Sequence, residues 1–407
     1  MLSVKRFSNY LPPLYSFIAI FFSALFFIYV GRSGNEDTIG RFSVISTIIF
    51  LLTHLFSLGN DHSILSSSIQ NKNKDYFYID KRIFIPLYSF FLTLGLIFML
   101  IEVELVREYV SKYIPSSNSE YTHLVITIAL TVFLANFSKT LASFLIINSL
   151  KDLGNLIFFF KAIGLGLGIA AFIFIPGLIE LHIVFIMELV CASLLVALYA
   201  LLCFKFLFCN SKNGFQLKFV ISGLNIFGFD SILKQDLLVL SLFQSPTLVA
   251  KYAVISSVFE GIAQTITSLQ QNYASKLRNT LDGSRNEKSS FYSLIKSGTL
   301  LSILFFPAAV IFFYIVFGYI DHTALIIIFI LQAAILIGSG SIICFFTDAI
   351  IGNPLTLVLI TLTIIIINLL VSIFLFQLIG VIGVSIGSLF AYSALRFFVY
   401  KRALIRF

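Results

Sequence analysis

Charged residues are scarce in this chain of 407 residues. They make up 11% of it, whereas 59% of the residues are hydrophobic and the mean hydropathy is +1.01. In soluble globular domains about a quarter of the residues are charged. The composition therefore excludes a soluble globular domain and indicates a membrane protein.

Cysteine is also rare, and tryptophan is absent. The four cysteines lie in or beside apolar runs and lack the spacing of metal ligands; they are Cys191, Cys203, Cys209 and Cys344. We predict that they pack as small apolar side chains rather than form a disulfide or a metal site. The other aromatic residues are too dispersed along the chain to indicate a stacking platform for a sugar.

A recognisable catalytic constellation is missing as well. The sequence has no glycine loop for phosphate, because Gly164, Gly166 and Gly168 fall inside an apolar run, where small residues let helices approach closely. Among the scattered histidines only His54 lies deep in an apolar run; a buried, hydrogen-bonded imidazole is the expected reading, and a titrating role stays open. We predict that the protein is not an enzyme and has no catalytic residues, no cofactor and no metal.

Long apolar runs are what the chain has in abundance. Runs of about 18 residues can cross the hydrocarbon core of a bilayer as helices. In lipid a single run satisfies its backbone hydrogen bonds only internally, so each run is predicted to be helical. The fold class is therefore an all-α polytopic membrane protein. We predict twelve spans, at 14–30, 42–59, 83–101, 123–147, 155–176, 182–207, 226–244, 252–272, 293–317, 323–345, 353–376 and 380–400.

A short internal repeat divides the chain into two halves. Gly40-Arg41-Phe42-Ser43-Val44-Ile45-Ser46 recurs in chemical kind as Ala250-Lys251-Tyr252-Ala253-Val254-Ile255-Ser256. The copies open the second and eighth predicted spans, and this even offset gives them the same direction across the membrane. We predict two parallel six-helix lobes, 1–210 and 211–407, a repeat type known in transporters.

Lysine and arginine indicate the orientation of the chain. If the N-terminus is inside, most of them fall in cytoplasmic loops, as the positive-inside rule requires. Both termini are then cytoplasmic. The net charge of +8 reflects this bias, so we predict membrane lipid and no nucleic acid as a partner.

Ionisable residues inside the predicted spans mark candidate functional positions. Each costs about 2.5 to 3.5 kcal/mol at mid-depth unless it is paired or hydrated. They are Lys139, Lys161, Asp230, Lys234, Asp236 and Glu260.

Three of these residues lie in the seventh predicted span. Asp230 and Lys234 are four residues apart and can pair on one helix face. Asp236 lies about 160° round the helix from Lys234, so it needs another partner or water.

The eighth predicted span carries a polar stripe. Its members are three or four residues apart and share one helix face; they are Ser256, Glu260, Gln264, Thr267 and Gln271. Single hydroxyls and amides in a span usually form only interhelical hydrogen bonds. A continuous stripe that includes a carboxylate predicts a wet cavity instead.

Two lysines indicate the chemistry of a cavity in the other half. Lys139 and Lys161 lie on the cytoplasmic side of their predicted spans. Ammonium groups there suit an anionic group such as phosphate or pyrophosphate. The alternative is snorkelling to the interface, which is easier for Lys161 than for Lys139.

Taken with these features, the chain resembles the Wzx-type polysaccharide flippases of the MOP superfamily. The similarity lies in twelve spans in two parallel halves, in the stretches Asp236–Tyr252 and Asn368–Ser388, and in the Gly380-Val-Ile-Gly383 turn before the last span. Ala250 and Lys251 depart from the family pattern, which has a glycine before the tyrosine.

The resemblance implies a flippase that moves an undecaprenyl-pyrophosphate-linked oligosaccharide, an O-antigen or capsule repeat unit, to the outer leaflet by ion-coupled alternating access. It implies a bacterial inner-membrane location and other polysaccharide-assembly proteins as further partners. We assign Lys139, Lys161, Lys234 and Gln264 to substrate binding, and Glu260, Asp236 and Asp230 to ion coupling.

Two alternatives stay open. One is a MATE-like drug or metabolite antiporter, whose cavity would be expected to hold more carboxylates than lysines. The other is a membrane polysaccharide polymerase, an enzyme class that usually has large external loops, which this sequence lacks.

Overall fold

The computed structural model describes most of the chain. The described residues are 11–57, 91–92, 94–95, 108–109, 112–113, 118–147, 153, 156–174, 181–203, 231–232, 234–279, 286–351 and 354–400. Within them the chain is almost entirely α-helical.

The described long helices follow one another in the order that the apolar runs predict. They are α1 (Leu11–Arg32), α2 (Glu36–Ser57), α3 (Asn118–Ile147), α4 (Leu156–Phe174), α5 (Leu181–Cys203), α6 (Pro246–Asn279), α7 (Asn286–Phe317), α8 (His322–Ile351), α9 (Pro354–Ile379) and α10 (Val381–Leu395), which continues as a short π-helix, Arg396–Tyr400. Residues 231–232 and 234–243 are also helical.

Each of these helices overlaps one predicted span, and the helical residues 231–232 and 234–243 overlap the span at 226–244. The predicted span at 83–101 lies almost wholly outside the described residues. Among the described helices, six contain a segment long and apolar enough to cross a membrane. The boundaries differ most at α6, which runs to Asn279 rather than 272, because hydropathy marks the apolar part of a helix and not its polar end.

The two segments of the internal repeat lie at the same register in their helices. Gly40 lies four residues after Glu36, the first residue of α2, and Ala250 lies four residues after Pro246, the first residue of α6. The burial pattern of the two copies is also nearly the same, with Arg41 and Lys251 each half-buried among buried neighbours. The two copies therefore occupy equivalent positions in two equivalent helices.

Different residues start these two helices. Glu36 and Asp37 place negative charge in the first turn of α2, where the helix dipole favours it. Proline takes the first position of α6, where its missing N–H group would have no partner in the helix.

The described chain divides into two compact units. Unit 1 comprises Met1–Phe26 and Val44–Phe227, and unit 2 comprises Phe27–Ser43 and Gly228–Phe407. Within unit 2, Arg32 Nε donates to the carbonyl of Ile315 at 2.6 Å, and a Cβ on Gly40 would overlap the backbone of Pro246. The predicted lobe boundary between 210 and 211 lies outside the described residues and stays a prediction.

The glycines of α4 allow close helix packing, as the sequence indicates. A Cβ on Gly164 would lie 2.9 Å from the Cα of Glu188, and one on Gly168 would lie 2.8 Å from the Cα of Val184. Both contacts are with the backbone of α5. The absence of a side chain at these positions lets α4 and α5 pack backbone to backbone.

A glycine also forms the turn between α9 and α10. Gly380 has a φ of 66°, a left-handed conformation that glycine adopts without strain. The Gly383 N–H then donates to the Gly380 carbonyl at 2.9 Å. This turn brings the start of α10 alongside the end of α9, where Gly383 faces the backbone of Leu375.

Candidate functional site

In unit 2, Asp236 is held by hydroxyl groups from two other helices. It lies in the 234–243 helical segment with a side chain that is 5% exposed. Tyr252, from the first turns of α6, donates its hydroxyl to Asp236 Oδ2 at 2.6 Å, and Ser388 of α10 donates to the same oxygen.

The other carboxylate oxygen of Asp236 accepts no hydrogen bond. Oδ1 is buried and has no hydrogen-bond partner. The amide of Asn368 in α9 is close enough to interact with the Asp236 carboxylate, but the contact lacks the geometry of a hydrogen bond, so Asp236 Oδ1 and Asn368 Nδ2 are both left without one. A buried anionic oxygen that lacks a donor is costly, so a proton, a cation or water is expected there.

A small cavity adjoins Asp236. Its volume is about 30 Å³, enough for about two water molecules or one small ion. Its lining combines two carboxylates and several hydroxyl groups with an apolar wall, and comprises Ile232, Asp236, Tyr252, Ser256, Phe259, Glu260, Leu331, Ala334, Ile335, Ser388 and Tyr392.

The second carboxylate of this cavity, Glu260, forms an ion pair. Its Oε2 accepts a hydrogen bond from Lys234 Nζ, and the exposed fractions of the two side chains are 12% and 15%. Its other oxygen, Oε1, is buried without a partner. Tyr252, Ser256 and Glu260 are each four residues apart, so one face of α6 supplies all three to the cavity.

Two polar side chains of α9, Asn368 and Ser372, pack against Gly387 of α10. Ser372 Oγ donates to Asn368 Oδ1 at 3.2 Å. A Cβ on Gly387 would overlap Ser372 Oγ and lie 3.0 Å from Asn368 Oδ1. The glycine therefore leaves the space that these two polar side chains occupy next to α10.

A separate polar contact lies in unit 1. Lys139 Nζ of α3 is 3.0 Å from His54 Nε2 of α2, and His54 Nδ1 is 3.0 Å from the carbonyl of Phe50. The carbonyl can only accept, so Nδ1 carries a proton and Nε2 accepts from the ammonium group. His54 is thus a neutral imidazole, and it fixes the position of Lys139 by accepting this hydrogen bond.

Other buried polar groups of unit 1 lie on the same two helices. Asn136 is 2% exposed and Thr47 is 1% exposed. Neither amide atom of Asn136 has a hydrogen-bond partner, and neither does Thr47 Oγ1. Asn136 lies one turn before Lys139 on α3, so its bare amide and the ammonium group share a helix face.

The structure places the predicted site residues in two groups. Asp236, Glu260 and Lys234 meet in unit 2, and Lys139 lies in unit 1. The predicted roles of these residues stay predictions. Asp230 lies outside the described residues, and of Lys161 in α4 and Gln264 in α6 only the helical backbone is described.

Three features of these sites were not predicted from the sequence: Tyr252, Ser388 and the contact between His54 and Lys139. The polar stripe of α6 offered a signal for Tyr252, since this residue extends the stripe by one turn beyond Ser256. No sequence signal indicated Ser388, which is 152 residues from Asp236.

Searches against protein-family models and against curated proteins found no match. Solved structures of similar fold were found. One is described as an outward-facing conformation of a multidrug resistance MATE family transporter of the MOP superfamily; it has a TM-score of 0.61 and 13% sequence identity, over 98% of this chain and 96% of that one.

Two further structures give similar values. A MATE crystal structure in complex with MaL6 has a TM-score of 0.58 at 12% identity, over 98% of this chain and 95% of that one. The other is a MOP superfamily transporter from Pyrococcus furiosus, with a TM-score of 0.59 at 13% identity over 98% of this chain and 95% of that one. Its description states that the reverse polarity of its binding pocket suggests a different function. The chain has the fold of these transporters, which confirms the predicted fold class of a multi-pass, all-α membrane protein.

Proposed function

We propose that this chain is a secondary transporter in which a cation bound at Asp236 drives the movement of a second solute across the membrane. The proposal rests on one observation: Asp236 lines a cavity of about 30 Å³, and its Oδ1 is buried without a hydrogen bond. A cation or proton at Oδ1 offsets the cost of burying this charge. A site that binds its ion in one conformation only couples ion binding to the conformational change.

For the second solute we propose a drug or metabolite that is exported in exchange for the cation. The support is the fold, which the chain shares with transporters described as multidrug resistance proteins. Two carboxylates at one cavity, Asp236 and Glu260, fit the cation-coupling half of such an exchange. The cavity is too small for a drug, so the solute binds elsewhere.

The second candidate is the flippase for an undecaprenyl-pyrophosphate-linked oligosaccharide. Lys139 favours it, because a half-buried ammonium group inside a predicted span suits the pyrophosphate of such a lipid. The Pyrococcus furiosus transporter, whose description links a reversed pocket polarity to a different function, supports the idea that one fold serves solutes of opposite charge.

For either solute we place the protein in a bacterial inner membrane with both termini in the cytoplasm. The support for this orientation is the concentration of lysine and arginine in alternate loops of the predicted topology. Reporter fusions at the two termini test it, and an external N-terminus contradicts it.

Transport in proteoliposomes tests the coupling. Purified protein is reconstituted, a Na⁺ or proton gradient is imposed, and efflux of a cationic dye or flipping of a fluorescent polyprenyl-pyrophosphate glycan is followed. We expect gradient-driven transport that falls at least about tenfold in Asp236→Asn, since an interaction with a charged group is worth about 1.5 to 3 kcal/mol.

The matched control is Asp37→Asn, at a carboxylate that is 43% exposed and pairs with Arg41. This variant is expected to transport as the wild type does. Coupling at Asp236 is wrong if Asp236→Asn, present at the wild-type level, keeps its dependence on the gradient.

A further inference from the structure

The ionisable side chains around the Asp236 cavity carry less negative charge than its two carboxylates alone would give. Lys234 lies two residues before Asp236, and its ammonium group pairs with the other carboxylate, Glu260. Both members of that pair are mostly buried, and a buried charge persists only with a compensating partner. The pair is neutral as a whole, so Asp236 is left as the uncompensated charge among the described residues of the cavity.

The cavity is also small. Its volume of about 30 Å³ accommodates about two water molecules or one small ion. Asp236 Oδ1 and Glu260 Oε1 are buried without hydrogen-bond partners, and both residues line the cavity. Three residues with hydroxyl groups, Tyr252, Ser256 and Ser388, line the same space.

From this arrangement we infer that Lys234 is a specificity-determining residue, which restricts the cavity to one monovalent cation and excludes divalent cations. The inference rests on the proposed function, because it assigns the charge of the ion bound at Asp236. The ammonium group neutralises the carboxylate that a divalent ion needs as its second charged ligand.

Coulomb repulsion acts in the same direction. The ammonium group cancels part of the attraction that the two carboxylates exert on an ion in the cavity, and the attraction that it cancels is twice as large for a divalent ion as for a monovalent one. Ca²⁺ also requires six to eight oxygen ligands. The small cavity does not offer that number while the Glu260 carboxylate is paired with Lys234. Removing the ammonium group leaves two carboxylates facing one cavity, the charge that Ca²⁺ prefers.

Binding of radioactive Ca²⁺ to the purified protein in nanodiscs tests the inference. At roughly 1 mM Ca²⁺ we expect no binding to the wild type, one ion bound to Lys234→Met, and no binding to Lys234→Arg, which keeps the positive charge. Lys234→Met combined with Asp236→Asn is expected to lose the ion again. Glu188→Gln, which alters a carboxylate of α5 in unit 1, serves as the control and is expected to behave as the wild type does.

Two results overturn the inference. One is Ca²⁺ bound by the wild type and lost in Asp236→Asn. The other is a folded Lys234→Met protein that binds no Ca²⁺. Neither result depends on transport, so the inference and the proposed function fail in different experiments. Transport by the Asp236→Asn variant tests coupling, whereas Ca²⁺ binding tests the charge of the site.

A second pair of variants covers the case in which Lys234→Met does not fold. Glu260→Gln leaves the ammonium group without its carboxylate, and Lys234→Met/Glu260→Gln removes both charges. We expect Glu260→Gln to lose the cation dependence of transport at least about tenfold and the double variant to recover it. If Glu260 instead binds the ion directly, the double variant stays inactive, and this outcome overturns the inference.

Discussion

Asp236 and Lys139 illustrate two ways in which a charge is held inside a helical membrane protein. Asp236 lines a cavity, and one of its oxygens accepts from two hydroxyl groups while the other is buried without a hydrogen bond. Lys139 instead donates to a neutral histidine, which adds no charge of its own. The first arrangement suits reversible binding of a cation, and the second fixes the position of a lysine side chain in unit 1.

Substitution of Lys139 tests whether its charge serves an anionic solute. We expect Lys139→Met to lose transport of a pyrophosphate-linked lipid by at least about tenfold, because the charge-assisted contact is removed. Lys139→Arg is expected to keep part of the activity, since arginine also binds phosphate. The assay is flipping of a fluorescent lipid in proteoliposomes.

The control for this prediction is Lys296→Met, at an exposed lysine of α7. It is expected to have wild-type activity. Equal activity of Lys139→Met and Lys139→Arg contradicts a charge role and assigns Lys139 to packing.

At the scale of single helices, α4 and α5 depend on two glycines. Gly168→Val is expected to lower the free energy of unfolding by about 1 to 3 kcal/mol, because the added side chain meets the backbone of α5 and the helices must separate. Thermal unfolding in detergent measures the change. Leu167→Val, at the adjacent residue with half of its surface exposed, is expected to change stability much less.

The start of α8 is stabilised by its preceding residue. Asp321 Oδ1 accepts from the Ala324 N–H at 2.6 Å, and its Oδ2 accepts from Lys251 of α6 at 3.2 Å. Asp321→Ala removes the helix cap and is expected to cost about 0.5 to 2 kcal/mol of stability.

Asp321→Asn separates the two contributions of this residue, because the amide oxygen can still cap α8 while the ion pair with Lys251 is lost. An exposed ion pair contributes about 0 to 1 kcal/mol. We expect Asp321→Asn to be more stable than Asp321→Ala in the same thermal unfolding assay. If the two variants are equally destabilised, the ion pair and not the cap stabilises this end of α8.

At the scale of the whole molecule, deletion of the gene in its native strain separates the two candidate solutes. If the chain is the flippase, we expect lipid-linked glycan units to accumulate inside and the surface polymer to be lost. If it exports drugs or metabolites, we expect a normal surface polymer and greater sensitivity to cationic compounds. Chemical analysis of the lipid-linked and surface glycans, with drug susceptibility of the same strain, gives the result.

A third result of this deletion is informative. Single glycan units displayed at the surface would indicate that units still cross the membrane and are not polymerised. That outcome contradicts both transport proposals and favours the membrane polymerase.

The sequence by itself determined the class of the protein, the helices and the duplicated start of α2 and α6. These features are local: a run of apolar residues in lipid must form its backbone hydrogen bonds within itself, so hydropathy alone indicates where a helix lies. The equal offset of Gly40 and Ala250 from the starts of their helices follows from the repeat in the sequence. The turn at Gly380 also required only a local signal, a glycine between two apolar runs.

Only the tertiary structure decided which polar groups meet. The spacing of residues on α6 shows that Ser256 and Glu260 share a face, but not which helix packs against that face. Asp236 receives its second hydroxyl from Ser388, and Lys139 meets His54 across 85 residues of sequence. Such contacts depend on how separate helices pack, because small residues and side-chain shapes set which faces approach one another.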